Sequence, residues 1–588
     1  MLALLLIIPL LLGIAISAFA EPKRVKHVAL AASIATLLLV PFCTSSGTIS
    51  WLGVGAGSLD LVISTGALNL LLISLVAFIA PFIFFYSYGY MSLPSEQKRY
   101  YSEMLAFETA MLLFAMSGSF VTLFIAWEFL SMTSYLLIGF WYDRERAVRA
   151  ARKVISIIMI GDFSLLGSMA LFLGAYGTLN FSVIINSAAK SSVLSELAVL
   201  LLLVAVFTKS AQFPFHEWLA DAMEGPTPVS AMLHSTTMVK AGVFAVMVLF
   251  PLILFAHMSS VLIGVGILTA FIATLDAMRE QHIKKVLAYS TVQELSLMLV
   301  ALGAHAFLAA VYFFVAQSFY KALLFFSAGS VMTATNKEHL HEVSGMTSNR
   351  LLFVSTAFGV LALAGFIPFD GFFASIGISS AFTGNLAMYA LISLISMLTS
   401  FYIFRWLILC SRPAEEEREK VLYESLPRSM LYSGFALAVL ALLASALFFF
   451  AKNLFGRVPY ALTGKPLVLN PLDISVELAA AGIGSILALR TYRRAAYNSK
   501  RVFGKKADLI QTSNLFNVVY ALFAGFFYAF ADGIYYMELY LNSLFDYMGA
   551  LVNAFGNYTR RLATGELNVY VGLFIAGFAL LLLIVVFA

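Results

Sequence analysis

Five ionisable side chains, Glu128, Asp162, Lys209, Lys240 and Lys321, lie inside stretches of the chain that are otherwise apolar enough to cross a bilayer. A charge at the centre of a spanning helix costs roughly 2.5–3.5 kcal/mol, so acids and lysines there point to the handling of ions or protons. Glu128 falls near the middle of Ser119–Trp141, too deep for a short acidic side chain to reach water. It is therefore neutral or paired, and a nearby lysine that moves or changes charge would switch it between those states. Lys209, Lys240 and Lys321 each stand ten or more residues into an apolar run. A row of such lysines can alternate between charged and neutral forms and pass protons along a hydrated path.

Plainer roles compete with these. Lys209 is five residues before Pro214 and would mark a helix end if it snorkels to the surface. Asp162, after Gly161, is alternatively a structural hydrogen-bonded acid. His234 is one and two-thirds turns before Lys240, hence on another face, and is either a satisfied core histidine or a proton relay. Glu294 is a further mid-span acid, five apolar runs after Glu128, and would be its counterpart if the two halves repeat.

The elements that position these groups must be membrane helices. A chain of 588 residues that is 61% hydrophobic and 11% charged, with a mean hydropathy of +0.93, is outside the range of soluble globular domains. Its two cysteines, Cys43 and Cys410, have no Cys/His spacing around them, which excludes an iron–sulfur cluster or structural zinc held by this chain alone. No cofactor in this chain and no nucleic-acid partner are expected. The first 20 residues lack a basic leader and precede Glu21-Pro22-Lys23-Arg24, so they read as a spanning helix rather than a signal peptide.

Apolar runs of spanning length fall near 1–20, 27–43, 60–90, 103–117, 119–141, 153–175, 193–219, 228–255, 258–277, 284–303, 306–334, 351–382, 385–410, 429–451, 471–490 and 568–588, sixteen in all. Basic residues cluster in alternate loops, at 23–26, 98–99, 144–153, 279–285 and 490–506, whereas 44–59, 256–257, 304–305 and 383–385 carry none. Two loops break the pattern, one with Lys190 and one with Lys452, Arg457 and Lys465, and the remainder put both termini on the non-cytoplasmic side. Residues 511–567 hold Asp532, Glu538 and Asp546 among many aromatics and read as a long lateral amphipathic helix. The stretches Gln212-Phe213-Pro214-Phe215-His216 and Phe366-Ile367-Pro368-Phe369-Asp370 resemble each other across five apolar runs. Paired breaks at Pro214 and Pro368 in oppositely oriented halves are the sequence pointer to a transporter site.

Several motifs in one order carry a family resemblance. They are Trp127-Glu128 with Ser134-Tyr135-Leu136-Leu137-Ile138-Gly139-Phe140, Gly161-Asp162, Lys209-Ser210-Ala211-Gln212, Pro214-Phe215-His216-Glu217-Trp218-Leu219 and Glu224-Gly225-Pro226-Thr227-Pro228. His234, Val239-Lys240-Ala241-Gly242, Lys284-Lys285-Val286-Leu287-Ala288-Tyr289-Ser290-Thr291 and Phe319-Tyr320-Lys321-Ala322-Leu323-Leu324-Phe325 follow. Over about residues 60–410 the chain resembles the antiporter-like proton-pumping subunits shared by respiratory complex I, Mrp cation/proton antiporters, energy-converting hydrogenases and related sulfur reductases. Arg560-Arg561-Leu562-Ala563-Thr564-Gly565 before the last run is similar to the junction after the lateral helix of the largest such subunit of complex I.

The resemblance implies an all-α polytopic protein with fourteen core helices. N-terminal spans would occupy 1–102, two inverted five-helix half-channels 103–255 and 256–410, further spans 411–510, the lateral helix 511–567 and a terminal span 568–588. Glu128 and Lys209 would be the coupling pair, Lys240 the connector and Lys321 the carrier of the second half. It implies other antiporter-like and small membrane subunits, peripheral iron–sulfur redox subunits and lipids as partners, in a prokaryotic cell membrane. A Mrp-type antiporter subunit and a non-pumping structural subunit are the alternative functions. Two departures put the exit in question: Ala374-Ser375 stands where the family often has a lysine or glutamate, and Gln317 where a histidine is frequent. Either Asp370 or Glu294 takes over there, or the subunit conducts through part of its width.

Overall fold

A computed structural model describes residues 2–43, 45–54, 57–187, 193–414, 417–446, 450, 470–495, 533, 535–554 and 557. It falls into two units, Met1–Ile534 and Tyr535–Ala588. The first opens with α1 (Ile8–Phe19) and α2 (Pro22–Leu39), then a two-stranded antiparallel hairpin, β1 (Gly47–Val54) and β2 (Gly57–Ile63). The helices that follow are α3 (Ala67–Tyr90), α4 (Pro94–Ala115), α5 (Phe120–Ile138), α6 (Glu145–Tyr176), α7 (Phe181–Ser187), α8 (Val193–Lys209), α9 (Glu217–Asp221), α10 (Thr227–Ser235), α11 (Met238–Val248) and α12 (Phe250–Phe255). Then come α13 (Ser259–Arg279), α14 (Ile283–Gly303), α15 (Phe307–Thr335), α16 (Arg350–Leu363), α17 (Asp370–Ser379), α18 (Leu386–Cys410), α19 (Glu417–Glu424), α20 (Arg428–Ala444) and α21 (Pro471–Ala495). In the second unit residues 535–554 are helical, within the expected lateral helix; residues 511–532 of that helix and the expected terminal span 568–588 lie outside the described residues.

Among the described residues ten helices are long and apolar enough to cross a membrane, against sixteen expected runs. The difference has identifiable causes. The runs 193–219 and 351–382 are each broken beside a proline, at 210–216 and 364–369. The run expected over 60–90 begins as a strand but still supplies the spanning helix α3, the expected loop 44–59 carries most of the hairpin, and the expected span 568–588 lies outside the described residues. Helix α4 is long enough but carries Glu96, Lys98, Arg99, Glu103 and Glu108, while the segments Leu4–Ser17 and Arg428–Ala444 are short.

Local chemistry sets the helix ends. Ser119 caps α5 by accepting from Thr122 N at 3.3 Å, and its hydroxyl donates to Asp60 O at 2.8 Å, fixing the hairpin against that end. His282 caps α14 by accepting Lys284 N on Nδ1 at 3.2 Å. Asn349 and Asn385 cap α16 and α18. Asn336, at φ 54°, closes α15 in the left-handed conformation that asparagine tolerates. Helices α14 and α15 are buried along the whole of their most apolar stretch, and α10 with α11 nearly so. These central helices are surrounded by protein, and they carry Lys240, Glu294 and Lys321.

The two breaks share one backbone pattern. At the first, Gln212 N donates to Phe207 O (2.7 Å) and Phe215 N to Gln212 O (2.7 Å), with Ala211 at φ 51°. At the second, Phe366 N donates to Leu361 O (3.0 Å) and Phe369 N to Phe366 O (2.9 Å), with Gly365 at φ 75°. The groups freed by the first break find partners within the protein: Trp218 Nε1 donates to Thr208 O at 2.9 Å, Gln212 Nε2 to Ser210 O at 2.8 Å, and Phe213 N to Thr269 Oγ1 at 3.1 Å. Irregular backbone at membrane depth persists only when its polar groups are satisfied this way.

After the second break α17 starts in close contact with α16. A β-carbon at Gly371 would lie 1.8 Å from Ala362 O, whereas one at Gly264 would meet nothing within 4 Å. Gly371→Ala is expected to destabilise the protein by about 1–3 kcal/mol through overpacking, and Gly264→Ala to be neutral or mildly stabilising. Thermal unfolding of the detergent-purified variants checks this; equal midpoints for the two would contradict the contact.

Candidate functional site

Lys209 ends α8 and is 1% exposed, so it does not snorkel. Its Nζ donates to Ser131 Oγ at 2.6 Å and to Trp127 O at 3.2 Å, both on α5, and lies 4.7 Å from the centre of the Trp127 ring. The Ser131 hydroxyl proton goes to Trp127 O (3.0 Å), which turns the oxygen lone pairs toward the lysine. Trp127 Nε1 in turn donates to Asp162 Oδ1 at 2.7 Å, so Asp162 on α6 is tied into the same cluster. Among the described residues no carboxylate forms an ion pair with Lys209, although Asp162 and Glu128 both act on it electrostatically. Glu128 is half-buried on α5 and shares a stripe with the exposed Ile125 and Met132.

Lys240 repeats this arrangement on a different helix. Its Nζ donates to Ser318 Oγ and to Phe314 O, both at 2.5 Å, and lies 4.6 Å from the Phe314 ring centre. The Ser318 hydroxyl donates to Phe314 O at 3.1 Å. Each lysine thus rests on an aromatic residue's carbonyl and ring and on a serine one turn later. The α8 break reaches Lys240's neighbour, because Ser210 Oγ donates to Val239 O at 2.8 Å.

Lys321 differs from both. It is three residues after Ser318 on α15, a rise of about 4.5 Å, and its Nζ lies 2.8 Å from Glu294 Oε2 and 2.6 Å from Ser290 Oγ, both on α14. Glu294 also accepts from Tyr320 Oη at 2.9 Å and from Gln317 Nε2 at 3.0 Å. A fully buried carboxylate and ammonium persist in an apolar interior when paired and hydrogen-bonded like this. Gln317 acts here as a donor to the acid.

His234 is fully buried with its ring 4.7 Å from that of Phe325, and neither ring nitrogen has a hydrogen-bond partner among the described residues. Its electrostatic neighbours are Lys321 and Lys284. Asp370 is buried at the start of α17, accepts Gly371 N at 2.9 Å on Oδ1, and has no hydrogen-bond partner for Oδ2 among the described residues. The sequence-derived groups therefore collect into a first cluster (Asp162, Lys209, with Glu128 beside it) and a second (Lys240, Lys321, Glu294). Sequence reading missed Ser131, Ser318, Ser290 and Tyr320, which hold the lysines and the acid. It also passed over buried acids well inside apolar runs, among them Glu108, which accepts Ser33 Oγ at 3.1 Å, and Glu477 on α21. Their mid-run position was the signal that could have found them.

Comparison with known proteins gives the arrangement its context. Residues 117–401 match the family described as NADH:quinone oxidoreductase/Mrp antiporter, transmembrane. The chain is 33% identical over 481 residues to NADH-quinone oxidoreductase subunit L of Campylobacter jejuni, covering 80% of this chain and 78% of that one. It belongs to that transmembrane family. Over 376 residues it is 35% identical to NAD(P)H-quinone oxidoreductase subunit 5 of Paulinella chromatophora, where the match covers 60% of this chain and 56% of the relative. The chain thus spans little more than half the length of that relative. The Mrp complex from Dietzia sp. shares the fold, with a TM-score of 0.72 at 22% identity over 90% of this chain and 63% of that one. The family is one of integral membrane proteins, in accord with the apolar helices.

Of the three buried lysines, Lys321 is the one held by a carboxylate. Removing either member of that pair leaves a buried charge uncompensated, at about 3–5 kcal/mol, whereas replacing both by apolar groups costs far less. Lys321→Met and Glu294→Leu are therefore each expected to lower the unfolding midpoint more than the double variant does. Strictly additive losses in a thermal double-mutant cycle would contradict the pair.

Proposed function

We propose that this chain is an ion-translocating, antiporter-like subunit of a multisubunit energy-converting membrane complex, moving protons or sodium ions while the redox chemistry resides in partner subunits. The observation that carries this reading is the sequence of buried lysine seats, Lys209 on Ser131, Lys240 on Ser318 and Lys321 on Ser290 with Glu294. The first two rest on neutral oxygens and a ring face, which hold an ammonium without trapping it in an ion pair. The third has a carboxylate that shares its proton's charge. A change of charge at Glu128, on the stripe open to a neighbouring subunit, would release Lys209 from its seat and drive protons through Lys240 to Lys321. His234 and Asp370 flank the second cluster as relay groups, and Asp162 holds Trp127 in place.

The matched breaks at Pro214 and Pro368 support two inverted half-channels over 103–255 and 256–410. Alternating loop charge supports termini on the non-cytoplasmic side of a prokaryotic membrane. Neighbouring antiporter-like and small membrane subunits, iron–sulfur redox subunits and lipids are the partners this reading entails. The fold shared with the Mrp complex favours a second reading, a subunit of a gradient-driven cation/proton antiporter.

The test is ion transport by the assembled complex in proteoliposomes. Lys209→Ala and Lys321→Ala are each expected to lower proton translocation at least about tenfold, measured per assembled complex because Lys321→Ala also destabilises the chain. Transport that survives both substitutions sinks the reading in favour of a structural subunit. Transport that persists without the redox substrate but follows an imposed sodium gradient favours the Mrp-type reading.

A further inference from the structure

We propose that Glu477 on α21 is the group that exchanges protons with the non-cytoplasmic side, a role that rests on the transport reading above. Glu477 is 3% exposed and its Oε1 has no hydrogen-bond partner among the described residues. Its carboxyl faces the hydroxyls of Ser396 on α18 and Ser379 at the end of α17. An acid of this kind in an apolar helix is costly to keep, and among the described residues no cation lies within ion-pair distance of it.

A series of polar side chains with one gap leads to it from Lys321. Ser290 Oγ, which accepts from Lys321, adjoins the Tyr402 hydroxyl of α18. Tyr402 Oη donates to Gln293 Oε1 at 2.7 Å, and Thr399 Oγ1 donates to the same oxygen at 3.1 Å. Ser396 is three residues before Thr399 on α18, about 4.5 Å along the axis, a gap in the series of a size that one water could bridge. Beyond Glu477, Asp473 lies one turn nearer the start of α21, is 1% exposed, and accepts Tyr389 Oη at 2.9 Å and Asn470 Nδ2 at 3.0 Å. Tyr389 is half-buried near the start of α18.

The direction is outward. The end of α17, the start of α18 and the start of α21 adjoin the uncharged loop 383–385, which the loop charges put on the non-cytoplasmic side. Helix α21 packs along α18 so closely that a β-carbon at Gly484 would lie 2.1 Å from Met397 O. The series therefore runs from the buried ion pair toward that surface through α18. Ser379 is one turn beyond Ser375, so Glu477 reaches from a neighbouring helix toward the region where α17 itself carries no charge.

The test is Glu477→Gln and Glu477→Asp in the assembled complex in proteoliposomes, with Lys321→Ala alongside. Glu477→Gln is expected to lower proton translocation at least about tenfold with assembly intact, and Glu477→Asp to restore part of it. Infrared difference spectra on changing the external pH should contain a carboxyl band that Glu477→Gln removes. If Glu477→Gln pumps like the parent while Lys321→Ala does not, Glu477 is structural and the transport reading stands. If the parent complex moves no protons, that reading fails, and the infrared band then decides for Glu477 by itself: its absence overturns the assignment.

Discussion

An ammonium group enclosed by apolar helices has to find oxygen atoms, because nothing else nearby repays its lost hydration. Much of the first unit follows from that constraint. Lys240 and Lys321 lie against α14 and α15, the helices most completely enclosed by their neighbours, so the oxygens come from protein rather than from water at a lipid boundary. Backbone carbonyls inside a helix are already engaged, yet Trp127 O and Phe314 O each accept an additional bond from a lysine. A serine one turn along supplies the second oxygen in both cases, and an aromatic face the third contact.

The difference among the three seats is where chemistry enters. A neutral seat holds the charge loosely, while the carboxylate of Glu294 holds it strongly enough that Glu294 needs Tyr320 and Gln317 as additional donors. Unequal seats in series give a carrier a direction to move along, provided that each can be emptied by a nearby charge. The broken helices serve the same end: their unwound turns bring Ser210 against Val239 and start α17 at the buried Asp370. Close glycine contacts such as Gly242, where a β-carbon would lie 2.3 Å from Ser210 Oγ, keep those turns against their neighbours.

The parts of this arrangement that are properties of single residues were legible in the sequence. A lysine or acid in an apolar run announces its cost, a proline announces a break, and both breaks fall where Pro214 and Pro368 suggested. The seats were not legible, because Ser131 and Ser318 are ordinary residues of apolar helices and each meets its lysine across 78 positions of chain. The interior of the apolar runs was less legible: hydropathy does not register the breaks at 210–216 and 364–369, nor separate the β2 strand from α3. The absent charge at Ser375 looked like a gap in α17, since Glu477 is on a helix about a hundred residues later and only packing brings it to Ser379. The expected coupling pair, Glu128 with Lys209, is near enough for electrostatic influence but is not an ion pair.

The central claim is that these lysines change charge during turnover. Nitrogen-15 solid-state NMR of lysine-labelled, membrane-embedded complex measures this directly, with the resonances of Lys209, Lys240 and Lys321 assigned by single substitution. Proton relay through the seats requires at least one of the three to shift between ammonium and neutral amine when the complex goes from rest to steady turnover. Three ammonium signals that stay fixed in both states would contradict it.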